Sequence, residues 1–246
     1  MTKHFIGERV RRNEDTRLLT GQALFVDDIE IPGMLHAAFV RSDHAHARIL
    51  SIDVSAARER PGVVAVFTAA DMGKDWEPGP PLVSPPPTVK DVTFYSRRQA
   101  PLVKDIVKHA GETVAVVIAE SRYIAEDAVD DILVDYEPLP VVVDLEKALA
   151  SDSPLVHDDL ESNLAAHLFQ QKGNYETAKE RAEVVIKRRF YLDRGAAVAM
   201  ENRGVVAHWD EKSKQLTMWD TTQAPIPIRN GTAARLGLSE NQVRVI

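Results

Sequence analysis

The stretch GETVAVVIAESRYIAEDAVDDILVDYEPLPVVVD, residues 111–144, carries the clearest fold signal in this sequence. Its first part, Thr113–Glu120, is a nearly uninterrupted apolar run, which is typical of a strand that is buried on both faces. The SRYIAEDAVDDI segment that follows predicts a helix with Ile124 and Ala128 on its inner face. A second apolar run predicts a strand that stops at Pro138. A strand, a helix and a strand within about 30 residues predict a βαβ unit.

The sequence before this stretch predicts more strands, one short helix and a charged arm. Ser55 is suited to cap the helix, and Pro61-Gly62 stops it. Proline is dense from Trp76 to Lys90 and prevents helix formation and sheet pairing there, so a long surface excursion is expected. Residues 1–20 are polar and charged and are interpreted as an N-terminal arm. The predicted strands are MLHAAFVRS (34–42), ARILSIDV (47–54) and VVAVFTAADM (63–72).

The sequence after residue 150 predicts a second structural region. The polar stretch 151–173 is interpreted as a linker between domains. YETAKERA predicts a helix, GVVAHWD and QLTMWDTTQ predict a hairpin, and IRNGTAARLG predicts a helix that ends at Gly237. EVVIKRRFYL (183–192) and NQVRVI predict two further strands. The predicted organisation is an arm at 1–20, a domain at 21–150, a linker at 151–173 and an incomplete domain at 174–246.

The composition limits the class of protein. The chain has 246 residues, a net charge of −7 and scattered basic residues, whereas nucleic-acid binding needs a concentrated basic face. It has no cysteine, which excludes disulfides, thiolate zinc sites and iron–sulfur ligation by this chain. The sequence contains no signal-peptide pattern and no apolar run near the ~20 residues of a membrane span. We therefore expect a soluble, cytoplasmic protein whose partners are neither nucleic acid nor membrane.

Two histidines, His44 and His46, lie two positions apart between two predicted strands. Alternate residues of a strand share a face, but catalytic zinc needs a third ligand and the sequence singles out none. The spacing therefore favours a structural role, such as a hydrogen bond to backbone. The paired aspartates elsewhere are most simply solvated turns or helix faces, although they leave an unrelated hydrolase open as an alternative.

Two polar stretches near the carboxyl end are candidates for a binding site. In MENRGVVA, Glu201 and Arg203 precede an apolar strand, where an ion pair is the simplest interpretation. In WDTTQAP, Thr222 and Gln223 follow a predicted strand, and Pro225 cannot continue a central ladder. The spacing alone favours a turn residue at Gln223. An amide at a strand end also offers a donor and an acceptor where binding sites are often built.

The segment RLLTGQALFVDDIEIPGMLHAAFVRSDHAHARILSIDVSAARERPGVVAVFTAADM (17–72) closely resembles the opening of the molybdenum-binding subunit of the xanthine dehydrogenase/aldehyde oxidase family. Residues 111–144 resemble the second half of that family's a/b hammerhead domain, and residues 194–246 resemble the start of its molybdopterin-binding region. The resemblance implies an α+β fold, with an a/b hammerhead domain followed by the beginning of an α/β molybdopterin-binding domain. It also implies that His46 belongs to the hammerhead scaffold and that His44 occupies a variable position.

The resemblance implies a function in oxidation. Members of this family hydroxylate aldehydes, purines and other N-heterocycles, or oxidise carbon monoxide, with water as the oxygen source. A molybdenum–pterin centre takes two electrons and passes them through two-iron two-sulfur clusters to a flavin. Gln223 matches the glutamine that hydrogen-bonds an oxo ligand of molybdenum, with Thr222 in a supporting place. Glu201 and Arg203 match the supporting PMEPRG motif, which reads AMENRG here without either proline.

The resemblance also implies that the enzyme is completed by polypeptide other than these 246 residues. The family's GGGFG loop, its substrate-facing loop and its general-base glutamate are expected after Ile246, so this chain supplies no catalytic residue and no direct metal ligand. We expect the chain alone to be inactive and to bind no cofactor tightly. It is expected to be a split subunit or an N-terminal piece of a larger one.

The expected partners are the remaining molybdopterin-binding chain or segment, an iron–sulfur subunit and an FAD subunit. The pterin is expected in its cytosine dinucleotide form. The alternative to an enzyme component is a non-catalytic hammerhead scaffold or a degenerate remnant.

Overall fold

The computed structural model describes residues 5–73, 89, 92–95, 97, 99–193 and 195–246. The chain divides into two compact units, one formed by Gly33–Leu192 and the other by Met1–Pro32 together with Asp193–Ile246. The predicted excursion Trp76–Lys90 lies outside the described residues apart from Val89. The limits predicted for the arm, the domains and the linker stay predictions, because the two units are defined by contacts and not by domain type.

The unit Gly33–Leu192 contains short helices and small antiparallel sheets. One sheet has the strand order β1-β6-β3, a second has β5-β2-β7, and β4 pairs with β8. The strands are β1 (His36–Arg41), β2 (Ala47–Asp53), β3 (Val63–Thr68), β4 (Val92–Phe94), β5 (Ile106–Val107), β6 (Thr113–Ala119), β7 (Leu133–Pro138) and β8 (Ala166–Leu168). The helices are α2 (Ser55–Glu59), α3 (Arg122–Val129) and α4 (Tyr175–Glu180), with a 3-10 turn at Lys147–Leu149.

Strand β6 is the centre of this unit. Val114 and Val117 are fully buried, and Ala115 and Ala119 are buried beside them, so the prediction of a strand covered on both faces is confirmed. Helix α3 follows directly and is capped by Ser121, whose hydroxyl accepts a hydrogen bond from the Ile124 N–H at 3.2 Å. Helix and sheet together bury the main apolar cluster of the chain.

The predicted βαβ unit is wrong, although each of its three elements is present. Strand β6 pairs antiparallel with β1 on one edge and with β3 on the other. Strand β7 pairs antiparallel with β2 in a different sheet. Both edges of β6 are occupied, so β7 cannot lie beside it. Local spacing indicates strands and helices but does not specify which strands pair.

The two histidines between β1 and β2 have structural contacts. His46 is 9% exposed, and its Nδ1 lies 2.7 Å from the Pro140 carbonyl oxygen, which confirms the predicted bond to backbone. The ring of His44 packs against Tyr136 at a centroid distance of 4.8 Å. Among the described residues, no group of three or more His, Cys, Asp or Glu side chains is placed to hold a metal ion.

Asn163 organises the residues that follow the 3-10 turn Lys147–Leu149. Its amide oxygen accepts the Val156 N–H at 2.9 Å. Its amide nitrogen donates to the carbonyl oxygens of Pro154 at 2.8 Å and Ala148 at 3.0 Å, and it lies 3.4 Å from the Ser153 hydroxyl. One side chain therefore holds together three points of a segment that has almost no regular secondary structure.

The strand predicted at 183–192 is wrong. These residues form no helix or strand, and apolar side chains along them are largely exposed. A high β-propensity gives a segment the capacity to form a strand, but the strand exists only when a neighbour accepts its backbone hydrogen bonds. No strand within the described ranges pairs with this segment.

The second unit contains a three-stranded sheet and its main helix. Strands β9 (Val205–Asp210) and β10 (Gln215–Asp220) form the predicted hairpin, and β11 (Val243–Val245) pairs with β10 in parallel. Helix α5 (Pro225–Leu236) connects β10 to β11 and ends at Gly237 with φ +65°, as predicted. Helix α1 (Asp15–Leu19) and 3-10 turns at Val26–Asp28 and Glu240–Gln242 complete the unit. In the described part of the chain, no helix has the length and apolarity needed to cross a membrane.

Candidate functional site

The candidate site lies at the carboxyl end of strand β10. The parallel strand β11 ends at the same edge, where the Asp220 N–H donates to the Ile246 carbonyl oxygen at 3.1 Å. On the other side the Thr221 N–H donates to the Gly204 carbonyl oxygen at 3.2 Å. Helix α5 begins a few residues after β10. In open α/β sheets ligands bind outside the carboxyl ends of the strands, so this edge is the place to look for a site.

Gln223 occupies the bend between β10 and α5. Its side chain is exposed, and in the part of the chain that the structure describes it makes no hydrogen bond. Thr222 shapes the bend on both sides: its N–H donates to the Asp220 carbonyl oxygen at 2.7 Å, and its hydroxyl accepts the Ala224 N–H at 3.0 Å. The backbone of the turn around Gln223 is therefore fixed by hydrogen bonds, and the side-chain amide of Gln223 is free to bind a ligand.

The first turn of α5 offers few donors. Proline at 225 and 227 has no backbone N–H, and the Ala224 N–H is already bonded to Thr222. The Ile228 N–H donates within the helix to the Ala224 carbonyl oxygen. Ile226, between the two prolines, keeps a backbone N–H in this first turn, where a helix leaves N–H groups without internal partners. The polar groups that the bend itself contributes, the Gln223 amide and the Thr222 hydroxyl, are therefore neutral.

Thr221 connects the edge to the segment before β9. Its hydroxyl accepts the Gly204 N–H at 2.9 Å, which extends the hairpin by one pair beyond β9 and β10. Gly204 lies close to Val26, because a Cβ at this position would be 3.1 Å from a methyl group of that side chain. The structural role of Thr221 was not predicted. The one sequence feature that indicates this role is the position of Thr221 beside Thr222 after a strand. The sequence does not indicate its partner Gly204, which is 17 residues away.

Glu201 and Arg203 do not form the ion pair that their spacing favoured. Glu201 is exposed, and its carboxylate accepts the Val26 N–H at a long 3.4 Å. Arg203 is exposed and has no ion pair among the described residues. Arg203 directly precedes Gly204, so the Gly204–Thr221 contact places it next to the strand end. The contact fixes only the backbone position of Arg203, beside the end of β10, while Glu201 contacts the 3-10 turn at Val26–Asp28.

The carboxylates with shifted pKa values serve structural contacts. The pKa of Asp210 is lowered because the Ser213 hydroxyl donates to it in the β9–β10 turn, at the opposite end of the hairpin from Gln223. In the other unit the pKa of Asp131 is lowered because Arg60 donates two hydrogen bonds to it, at 2.6 and 3.1 Å. Neither group is a candidate acid or base for chemistry at the β10 edge.

The donor set at this edge suits a cofactor that is bound by hydrogen bonds. Amide and hydroxyl groups donate to oxygen acceptors without adding charge, and an oxo or phosphate oxygen is such an acceptor. Direct ligation of a metal would need imidazole, carboxylate or thiolate groups, and the described residues bring no three of these together. The residues present therefore fit a cofactor that supplies the ligands of its own metal, while the protein contributes hydrogen bonds.

Comparison with known families assigns both parts of the chain. Residues 20–140 match the model described as "Aldehyde oxidase and xanthine dehydrogenase, a/b hammerhead domain". Residues 156–246 match the model described as "Molybdopterin cofactor-binding domain". The second match contains the whole β10 edge. The predicted α+β fold, with an a/b hammerhead domain followed by the beginning of a molybdopterin-binding domain, is confirmed.

Relatives of known activity align along nearly the whole chain. The carbon monoxide dehydrogenase large chain of Afipia carboxidovorans is 39% identical over 98% of this chain and 30% of its own length. The nicotine 6-hydroxylase large subunit of Paenarthrobacter nicotinovorans is 37% identical over 100% of this chain and 29% of its own length. The chain thus spans about 30% of the length of these relatives.

The fold is also found in a solved enzyme. The crystal structure of quinoline 2-oxidoreductase from Pseudomonas putida 86 superimposes with a TM-score of 0.83 at 36% identity, over 97% of this chain and 30% of that one. Sequence matches and fold agree. The chain belongs to the xanthine dehydrogenase/aldehyde oxidase family, and it carries the a/b hammerhead domain and part of the molybdopterin-binding region of a molybdenum-binding subunit.

Proposed function

We propose that the chain works as part of a molybdenum-dependent hydroxylase or dehydrogenase. The complete enzyme would oxidise an aldehyde, a purine, another N-heterocycle or carbon monoxide, with water as the oxygen source. Family membership supports the reaction class, and the relatives named above act on carbon monoxide, nicotine and quinoline. The two regions matched are the a/b hammerhead domain and the molybdopterin cofactor-binding domain, which supports a role in holding the cofactor.

The exposed amide of Gln223 at the end of β10 carries this proposal. An amide N–H is suited to donate to an oxo oxygen, because the bond stabilises that oxygen without changing the charge of the site. Thr222 acts as a positioning residue, since its hydroxyl and N–H hold the bend that presents the amide. When bound, the molybdenum–pterin group supplies the two-electron oxidation. This chain holds the group in one orientation.

Arg203 and Glu201 support the same edge in different ways. Arg203 is placed beside the strand end by the Gly204–Thr221 contact and offers a cationic fork for an anionic part of the cofactor. Glu201 accepts a hydrogen bond from Val26 and so tethers the segment that leads into β9. The expected split of roles is a binding role for Arg203 and a structural role for Glu201.

The proposed complex contains further chains and cofactors. The remaining molybdopterin-binding polypeptide completes the site, and partner chains carry two-iron two-sulfur clusters and FAD that accept the electrons. The absence of cysteine in this chain agrees with clusters held elsewhere. We propose a cytosine dinucleotide form of the pterin and a cytoplasmic location.

Purification from the native host under mild conditions tests the proposal. The expected preparation contains molybdenum, iron and flavin together with co-eluting chains identified by mass spectrometry. A lone chain without metal would contradict the proposal and indicate a scaffold or a remnant.

Substitution of Gln223 tests the site inside that complex. Gln223→Ala is expected to retain molybdenum and lower turnover by roughly 100-fold, in line with the loss of one preorganised donor. Gln215→Ala changes the same residue type at the other end of β10 and is expected to keep turnover unchanged. Turnover is followed with an artificial electron acceptor against aldehydes, N-heterocycles and carbon monoxide. Equal turnover of Gln223→Ala and wild type would remove the assigned role.

A further inference from the structure

The short segment 201–204, which leads into β9, is held by two distant parts of the chain. Thr221 is the first: its hydroxyl accepts the Gly204 N–H at 2.9 Å, and its N–H donates to the Gly204 carbonyl oxygen at 3.2 Å. Val26 is the second, and it contacts the segment at both of its ends. Residues 201–203 are exposed, whereas Gly204 is half-buried, so Gly204 is the point at which the segment is fixed.

Val26 contacts the segment through its backbone and through its side chain. Its N–H donates to the Glu201 carboxylate at a long 3.4 Å. A Cβ on Gly204 would lie 3.1 Å from the Val26 Cγ1 and 3.6 Å from the Val26 Cβ, so the Gly204 backbone packs directly against that side chain. The turn that carries Val26 is itself fixed, because the Asp28 carboxylate accepts the Phe25 N–H at 2.9 Å. A β-branched side chain is stiff about χ1, so Val26 offers Gly204 a fixed surface.

These contacts connect the N-terminal residues to the candidate site. Val26 falls within residues 20–140, which match the a/b hammerhead model, yet Met1–Pro32 form one compact unit with Asp193–Ile246. Val26 therefore belongs to the same unit as the end of β10. Arg203 directly precedes Gly204, so any displacement of the Gly204 backbone also displaces the backbone of Arg203.

We propose that Val26 is a positioning residue of the candidate site, which acts through Gly204 to hold Arg203 beside the end of β10. This inference rests on the proposed function, in which Arg203 binds an anionic part of the cofactor. The side chain of Arg203 is exposed and has no ion pair in the described part of the chain, so the position of its guanidinium depends on how firmly its backbone is held. A small displacement of a binding group lowers its contribution sharply, because binding needs a defined geometry.

Hydrogen–deuterium exchange on the chain alone tests the contact without the cofactor. Val26→Ala removes the methyl groups that face Gly204 and keeps the backbone N–H. The amides of Gly204 and Thr221 are expected to exchange roughly tenfold faster in this variant, because the pair opens more often. The amide of Met218, in the middle of β10, is expected to exchange at the wild-type rate. Unchanged exchange at Gly204 would show that Val26 does not hold the segment and would overturn the proposal.

Molybdenum retention by the complex purified from the native host tests the role in the site. Val26→Ala is expected to release molybdenum roughly fivefold faster than wild type on warming, measured as protein-bound molybdenum after desalting. Val26→Ile keeps the methyl group that faces Gly204 and is expected to restore the wild-type rate. Val134→Ala is the matched control, because it makes the same change at a half-buried valine of the other unit. Equal acceleration by Val26→Ala and Val134→Ala would reduce the effect to general stability and refute the proposal.

A double-mutant cycle tests whether Val26 acts through Arg203. Arg203→Ala is expected to release molybdenum faster than wild type, and Val26→Ala is expected to add nothing in that background. Additive effects would overturn the assigned route, because two independent contributions add. A molybdenum-containing complex in which Arg203→Ala releases the metal at the wild-type rate would refute this inference and leave the reaction class intact. If no preparation contains molybdenum, the proposed function fails and this inference fails with it.

Discussion

Replacement of Asn163 by alanine would measure how much one side chain stabilises the irregular segment around it. The variant loses the bond from the Val156 N–H at 2.9 Å and the bonds to the carbonyl oxygens of Pro154 and Ala148 at 2.8 and 3.0 Å. Each such bond stabilises a fold by about 1 kcal/mol net. Asn163 is half-buried, so water replaces part of the loss. The expected decrease in the free energy of unfolding is about 2 kcal/mol.

Urea and thermal unfolding of the chain measure this decrease. A loss of about 2 kcal/mol corresponds to a fall in Tm of roughly 4–8 °C for a unit of this size. Asn202→Ala is the matched control, because Asn202 is exposed and its side chain has no hydrogen bond in the described part of the structure. The Val156 amide is also expected to exchange faster with solvent in the Asn163 variant. Equal Tm values for the Asn163 and Asn202 variants would refute the reasoning.

The variant Asn163→Asp distinguishes the hydrogen bonds that the amide nitrogen donates from the one that the amide oxygen accepts. Asn163→Asp keeps an acceptor for the Val156 N–H but places carboxylate oxygens against the carbonyl oxygens of Ala148 and Pro154. At neutral pH it is therefore expected to be less stable than Asn163→Ala. Protonation restores one donor, so the order of the two variants is expected to reverse at low pH. An unchanged order across the pH range would show that the amide nitrogen does not bond as described.

Three further predictions concern a turn, an ion pair and the candidate site. Gly62 has φ +85°, and a Cβ there would lie 2.7 Å from a methyl group of α3. Gly62→Ala is therefore expected to lower Tm more than the control Gly111→Ala. Gly111 also has a positive φ, but a Cβ there would have nothing within 4 Å. The pKa of Asp131 is lowered from its ordinary 3.8 because Arg60 donates to it, so this contribution to stability is present above that value and is lost as the pH falls through the lower folded pKa. The Tm difference between wild type and Asp131→Asn is therefore expected to shrink below that pH, and a constant difference would contradict it. Thr222→Val removes the hydroxyl that caps the backbone before α5 and is expected to cost about 1 kcal/mol in urea unfolding, whereas Thr222→Ser retains stability.

Elements specified by local physics were predictable. Gly237 ends α5 in the left-handed conformation as predicted, because a positive φ depends on a few neighbouring atoms. The predicted cap at Ser55 is wrong: Ser55 is the first residue of α2, and its N–H donates to the Asp53 carboxylate. The β9–β10 hairpin formed because a polar turn joins two strand-forming runs. The parallel β10–α5–β11 unit was not specified, although its three elements were predicted in order.

The position of the candidate site was partly predictable. Pro225 cannot continue a ladder, which predicted Gln223 near a strand end; in the structure β10 ends at Asp220 and Pro225 begins α5. The contacts that shape the surrounding edge were not predictable, because each joins residues far apart in the chain. Thr221 bonds to Gly204, and Glu201 accepts from Val26. The ion pair expected between Glu201 and Arg203 does not form, and the Glu201 carboxylate accepts instead from Val26, 175 residues away in the chain.

The sequence by itself determined the family, the strand and helix segments with strong local signals, and the amide at the end of β10. Tertiary structure decided which strands pair: β6 lies between β1 and β3, and β7 lies in another sheet. It also decided that residues 183–192 remain exposed within this chain in spite of their strand-forming composition. The physical reason is the same in both cases. Propensity is a property of a segment, whereas a strand requires a neighbour that accepts its backbone hydrogen bonds.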